Sequence, residues 1–157
     1  MVKEHKTVKE MWEKYLSKIG ENMNNAKKIY ESSYFSNNKK DANELAELVK
    51  KGIKKATASL LYLYEIENEP VPKVGDYSII TDWRGIAKCI LRITKINITP
   101  FKDVTEEFAA KEGEGDQSLL FWRKVHRNFF IKELKEYNKK FSEDMLVICE
   151  EFEVIFY

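Results

Sequence analysis

Apolar positions along the chain alternate between a period near 3.6 and a period of two, and the switches mark out the elements. Val8, Met11, Trp12, Tyr15, Leu16 and Ile19 form one helical stripe, opened by a Thr7–Glu10 capping box and closed at Gly20. Residues 21–40 are polar and asparagine-rich, broken by Ile29-Tyr30 and Tyr34-Phe35, and read as a loop pinned by aromatics. Asp41 and Glu44 make a second capping box, for a helix carrying Ala42, Leu45, Ala46, Leu48 and Val49. Gly52 stands where a left-handed residue ends that helix, with Ile53 folding back on Leu48 as in a Schellman motif. The apolar run Ala58–Tyr64 fits helix or strand equally by periodicity.

Beyond a proline-marked loop at 67–76, Tyr77–Trp83 reads as a strand and Arg84-Gly85 as a hairpin turn. Ala87–Ile98 is the longest strand candidate. Cys89, Leu91 and Ile93 share one face, whereas Ile96 and Ile98 take the other parity, so a bulge or bend is expected near Thr94-Lys95. Asp103 and Glu106 cap a short helix, 113–116 interrupt it, and Ser118 opens a longer one bearing Leu119, Trp122, His126, Phe129, Phe130 and Leu134. Met145–Tyr157 closes the chain as a strand. Strands and helices mix without regular βαβ alternation, which predicts one α+β domain with a mixed, curled sheet.

The chain has 157 residues, 43% hydrophobic and 34% charged, the make-up of a soluble globular domain rather than a disordered one. Its 27 basic and 26 acidic residues nearly cancel, so any nucleic-acid site has to be a local patch rather than a bulk field. No run approaches the length of a membrane span, and Met1–Lys6 is too charged for a signal peptide, which points to the cytoplasm. Cys89 and Cys149 both fall in apolar runs and are expected as buried, reduced thiols.

Chemistry concentrates at the corner after the second helix. Lys54 is the first residue free of that helix, and Lys55, Thr57 and Ser59 follow along a segment whose side chains alternate between two faces. An ammonium and two hydroxyls there suit phosphate binding or nucleophile activation; the plainer reading is a helix end whose lysines complement its dipole. The glycine-rich acidic stretch Glu112, Glu114, Asp116 lacks the ligand spacing of a calcium loop, so no metal and no cofactor are assigned. His126 shares a helical stripe with Trp122 and Phe129 and is expected as a hydrogen-bonded core histidine. No Ser-His-Asp spacing, Walker loop, dinucleotide fingerprint or zinc pattern is present.

Gly52-x-Lys54-x-x-Thr57-x-Ser59 resembles the G-x-K-x-x-[TE]-x-R signature of ASCH domains, relatives of the PUA RNA-binding domains, with Ser59 replacing the family's arginine. Pro72–Ser78 with Thr81-Asp82, the block from Pro100 through Glu112-Gly113-Glu114-Gly115-Asp116 to Leu119, and Trp122-Arg123-x-x-His126-x-x-Phe129-Phe130 extend the resemblance from about Leu45 to the C-terminus. The resemblance implies a PUA-like curled mixed β-barrel with flanking helices over residues 41–157, with residues 1–40 packed on it as a helix and loop in one globular unit. It implies RNA or a modified nucleoside as partner and no membrane role. In members that hydrolyse acylated cytidines, Lys54, Thr57 and an acid at the Glu112 position would form the catalytic set. Tyr34, Phe35, Ser59 and Lys55 would line the substrate. Lysine would serve as base, threonine as nucleophile and the acid as proton donor to the leaving amine. Cleavage of RNA in the same cleft around Lys54 stands equal with that hydrolysis, and a non-catalytic RNA-binding module and a protein-interaction domain are the alternatives.

Overall fold

The computed structural model describes residues 3–157. Helix α1 spans Lys6–Lys18 and is followed by strand β1, Tyr30–Ser33, and helix α2, Lys39–Lys50. Strand β2, Ala56–Leu60, runs directly into helix α3, Leu61–Glu67. Strands β3, Tyr77–Thr81, and β4, Ala87–Pro100, lead through a 3-10 turn at Phe101–Asp103 to helices α4, Glu106–Glu112, and α5, Leu119–Lys135; strand β5 is Leu146–Phe156. The sheet order is β1-β3-β4-β5-β2. β1 lies parallel to β3, while β3–β4 and β2–β5 are antiparallel, so the sheet is mixed as expected.

The chain forms two compact units, each with its own apolar core. One takes the chain up to Ile53, together with Val74–Thr94 and Phe152–Tyr157. Here the α1 stripe of Val8, Trp12, Tyr15 and Leu16 packs on Ile79 and Ile90, while Ala46 and Val49 of α2 pack with Ile80, Cys89, Leu91 and Phe152. The other unit takes Lys54–Lys73 and Lys95–Glu151, and its core holds Leu60, Phe101, Val104, Phe108, Trp122, Phe130, Leu134 and Val147. The parity change near Thr94-Lys95 falls where β4 leaves one unit for the other; the register shift itself sits between Ile80 and Thr81 of β3.

Several local expectations are corrected. The polar stretch 21–40 contains β1, which has a single half-buried apolar residue, Tyr30, and so shows no alternation to read. The ambiguous run at 58–64 is both things, the end of β2 and then α3. α1 is capped by His5, whose Nδ1 accepts from Thr7 N, and α2 by Asn38, whose side chain accepts from Asp41 N. Thr105, not Asp103, caps α4 through Phe108 N. The helix end at Gly52 is as expected: Gly52 (φ +73°) donates to Val49 O at 2.9 Å and Ile53 N to Leu48 O at 2.9 Å. Among the described residues no helix is long and apolar enough to cross a membrane.

Candidate functional site

Lys54 leaves the α2 corner and turns inward, so that its side chain is only 2% exposed. The next peptide is fixed by Lys55 N donating to Lys111 O at 2.8 Å, which sets Lys54 beside the last turn of α4. Glu112 is the final residue of that helix and is 1% exposed. A carboxylate at a helix C-terminus faces the negative end of the dipole and needs cations to hold it there. Two are supplied: Lys54 Nζ lies 3.5 Å from Glu112 Oε1, and His126 Nε2 lies 2.8 Å from Oε2. The indole Nε1 of Trp122 also donates to Oε2. Glu114 Oε2, 3.1 Å from Lys54 Nζ, is the fourth ionic member, and its side chain is 21% exposed.

α5 supplies Trp122 and His126 one turn apart on its buried face, and Ser118 caps that helix through Phe121 N. Their rings stack at 4.2 Å with planes 14° apart. His126 Nδ1 is 2.9 Å from the carbonyl oxygen of Trp122, which can only accept, so Nδ1 carries a proton. Nε2 then meets a carboxylate that also accepts. Both nitrogens are donors, and the ring is an imidazolium. Burial pulls the His126 pKa down, but the Glu112 carboxylate outweighs it and holds the ring above its ordinary value of 6.5. Burial conversely pushes Glu112 up, and Lys54, His126 and the Trp122 donor bring it below its ordinary 4.5. Two cations and two anions thus cluster as a quartet, with Lys54, Glu112 and His126 buried and Glu114 partly exposed. Glu112 Oε1 is buried and, apart from its ion pair with Lys54, receives no hydrogen bond among the described residues.

The predicted site residues separate. Lys54 and Glu112 come together, and Glu112 is buried rather than a solvated helix-end acid. Thr57 sits half-buried on β2 opposite Glu150, on the strand face that alternates away from core residues Ala56 and Leu60. Ser59 shares that face, with its hydroxyl buried and, among the described residues, without a hydrogen bond. Lys55 is exposed. Phe35 packs against the Ala46–Phe152 core, while Tyr34 is exposed beside Trp83. Gly115 (φ +58°) makes room for the Phe121 ring rather than for a ligand, since a Cβ there would lie 2.4 Å from it. His126 and Trp122 are the members that sequence reasoning left in the core; their four-residue spacing on one helix face was the available signal.

Ligand atoms of Glu112, Glu114 and His126 lie within 4.8 Å of one another. The Lys54 ammonium already stands against both carboxylates, so a divalent ion would be held against a like charge. A cavity of about 220 Å³ lies between β4, α4 and β5 in the same unit, with Lys95, Lys111, Asp103, Glu107 and Glu151 as its charged lining. Both lysines are paired to Glu151, at 3.6 and 2.6 Å, which leaves the cavity no net positive face for an anion.

The ASCH domain family matches residues 31–156, most of the chain. The chain belongs to the ASCH family. Its structure is similar to that of an ASCH domain from Lactobacillus crispatus, with 35% identity, a TM-score of 0.89 and coverage of 100% of this chain and 99% of that one. A protein from Enterococcus faecalis is similar at 36% identity and a TM-score of 0.86, over 96% of this chain and 89% of that one. No curated protein sequence matches the chain. The α+β fold, a mixed five-stranded sheet with five helices among the described residues, is that of ASCH and PUA-like structures. ASCH domains are generally thought to bind RNA.

Proposed function

We propose that this ASCH domain binds single-stranded RNA or a nucleotide, with Lys54 as its anion contact. The observation that carries the reading is a cluster of four ionisable side chains, Lys54, Glu112, Glu114 and His126, three of them nearly inaccessible. Buried ion pairs return little stability for their desolvation, whereas perturbed titratable groups cluster where ligands are handled. Glu114 is the least buried of the four and is flanked by Gly113 and Gly115, both at positive φ. Its carboxylate stands where a phosphate oxygen of the ligand would stand, and binding exchanges one anion for the other on the Lys54 ammonium. A labelled single strand titrated at several salt concentrations tests this. A near-neutral chain predicts a shallow dependence, from about two to four phosphates. Salt-independent binding, or none, would favour protein docking instead.

A second reading, hydrolysis of an acylated cytidine, is favoured by Glu112 Oε1 beside Lys54, a buried acceptor with no hydrogen bond among the described residues. An N-acyl cytidine presents an amide carbonyl that accepts and an N–H that donates, which complements an ammonium next to a carboxylate oxygen. The imidazolium of His126 on the other oxygen provides a proton reservoir for a leaving amine. Thr57 is the nucleophile of this reading: its proton passes to the Glu112 carboxylate as Oγ1 attacks the amide carbon, the C–N bond breaks with that proton going to the leaving amine, and water then hydrolyses the acyl ester on Thr57. Incubation with an acylated cytidine separates the cases: Thr57→Ala should abolish turnover, and absence of product from the wild type between mildly acidic and alkaline pH would leave binding alone. RNA cleavage through the strand's own 2′-hydroxyl would instead leave Thr57→Ala active.

A further inference from the structure

We infer that Tyr34 and Trp83 form a stacking platform for one base of a single-stranded RNA, an inference that rests on the RNA-binding reading above. The chain has three tryptophans. Trp12 and Trp122 fill cores at 2% exposure each, whereas Trp83 is 37% exposed and Tyr34 44%. The two exposed rings lie 4.9 Å apart with planes 50° from parallel, and open ring surface remains on both.

The backbone that presents Trp83 is fixed by an unusual density of hydrogen bonds. The Asp82 carboxylate accepts from Arg84 N at 2.9 Å and Ile86 N at 3.1 Å, and Asp82 N donates to Ile86 O at 3.0 Å. Trp83 N donates to the side-chain oxygen of Asn43 in α2 at 3.0 Å. A backbone held this way fixes where the Trp83 side chain starts before a ligand arrives, which lowers the entropy cost of binding.

The flanks select the occupant. Arg84 adjoins Trp83 with a side chain 71% exposed, and Lys39 lies one helical turn before Asn43 on the same face of α2. Arg84 Nη2 and Lys88 Nζ each lie 3.6 Å from Asp82 Oδ2, so Arg84 meets the turn's carboxylate at one edge while most of its side chain faces solvent, and Asp41 is taken up by Asn38 and Ser36. The apolar area is two rings, far short of a protein–protein interface. The exposed face of the Trp83 indole, buttressed by the tilted Tyr34 ring and next in the chain to the Arg84 guanidinium, fits a base and an adjoining phosphate, and every base has a face to stack.

Acrylamide quenching of intrinsic fluorescence tests this on the unmodified protein, because acrylamide reaches Trp83 while the other tryptophans are shielded. Saturating single-stranded RNA should lower the quenching constant. Trp83→Ala should weaken RNA affinity roughly 5- to 150-fold, the usual range for losing one stacked base, and Trp83→Phe should restore most of it. Wild type that binds RNA while Trp83 stays as open to acrylamide as before, with Trp83→Ala binding equally well, overturns the platform and leaves the Lys54 reading standing. Wild type that binds no RNA overturns both.

Discussion

Replacing Lys54 by methionine keeps the length and apolar stem of the side chain and removes one charge from the quartet. Glu112, 1% exposed, then keeps His126 and Trp122 but loses the cation beside Oε1, while Glu114, 21% exposed, is partly relieved by water. Removing one partner of a buried pair typically costs 3–5 kcal/mol. The surviving His126 contact places this case near about 3 kcal/mol, a fall in Tm of roughly 6–12 °C for a domain of this size. Urea unfolding followed by far-UV circular dichroism measures it. The double variant Lys54→Met/Glu112→Gln removes both charges and should be less destabilised than the sum of the single changes, by about 1 kcal/mol or more. If Lys54→Met unfolds within about 0.5 kcal/mol of wild type, the range of an ordinary surface change, Lys54 and Glu112 are not a coupled buried pair and the reasoning fails.

Proton NMR should find the His126 imidazole titrating above 6.5, and Glu112→Gln should lower that value. The linked stability has two edges: Glu112, depressed on folding, contributes above its unfolded value near 4.5 and loses it as pH falls, whereas His126, raised on folding, contributes below about 6.5 and loses it as pH climbs through the raised value. Comparing thermal unfolding of wild type and Glu112→Gln across that span checks both signs. Gly115→Ala should cost about 2 kcal/mol or more in the same unfolding assay, because the new Cβ meets the Phe121 ring at 2.4 Å and φ is +58°. Cys89 and Cys149 are buried and pushed up to about 12, so a thiol reagent should react slowly with the native protein and with both thiols once it is unfolded.

The sequence was most informative where one residue type is needed for one backbone state. Gly52 marked a left-handed helix end, and Ser118 a helix start, because each supplies something local that few other residues can. It was least informative where the deciding partner is distant. β1 exists because β3 pairs with it, with only Tyr30 to signal burial, and α3 follows β2 without any break in the apolar run. His5 and Asn38 took cap positions two and three residues before Thr7 and Asp41, which are themselves able to cap. At the site, Lys54 was legible from its corner, but the burial of Glu112 was not, since a helix-end acid normally points to water. Only the fold brings Lys54, His126 and Trp122 around it, 72 residues apart in the chain at the widest.

The central claim is that a ligand phosphate exchanges with Glu114 on Lys54, and salt-dependent RNA binding by wild type and Lys54→Gln tests it most directly. Both proteins are titrated with one labelled single strand at a temperature where each is fully folded. With two to four phosphates engaged, the wild-type plot of log affinity against log salt should have a slope of about −1.4 to −2.8. Lys54→Gln should bind more weakly and flatten that slope by about 0.7, the loss of a single phosphate contact. The same slope and the same affinity in both proteins would contradict the claim.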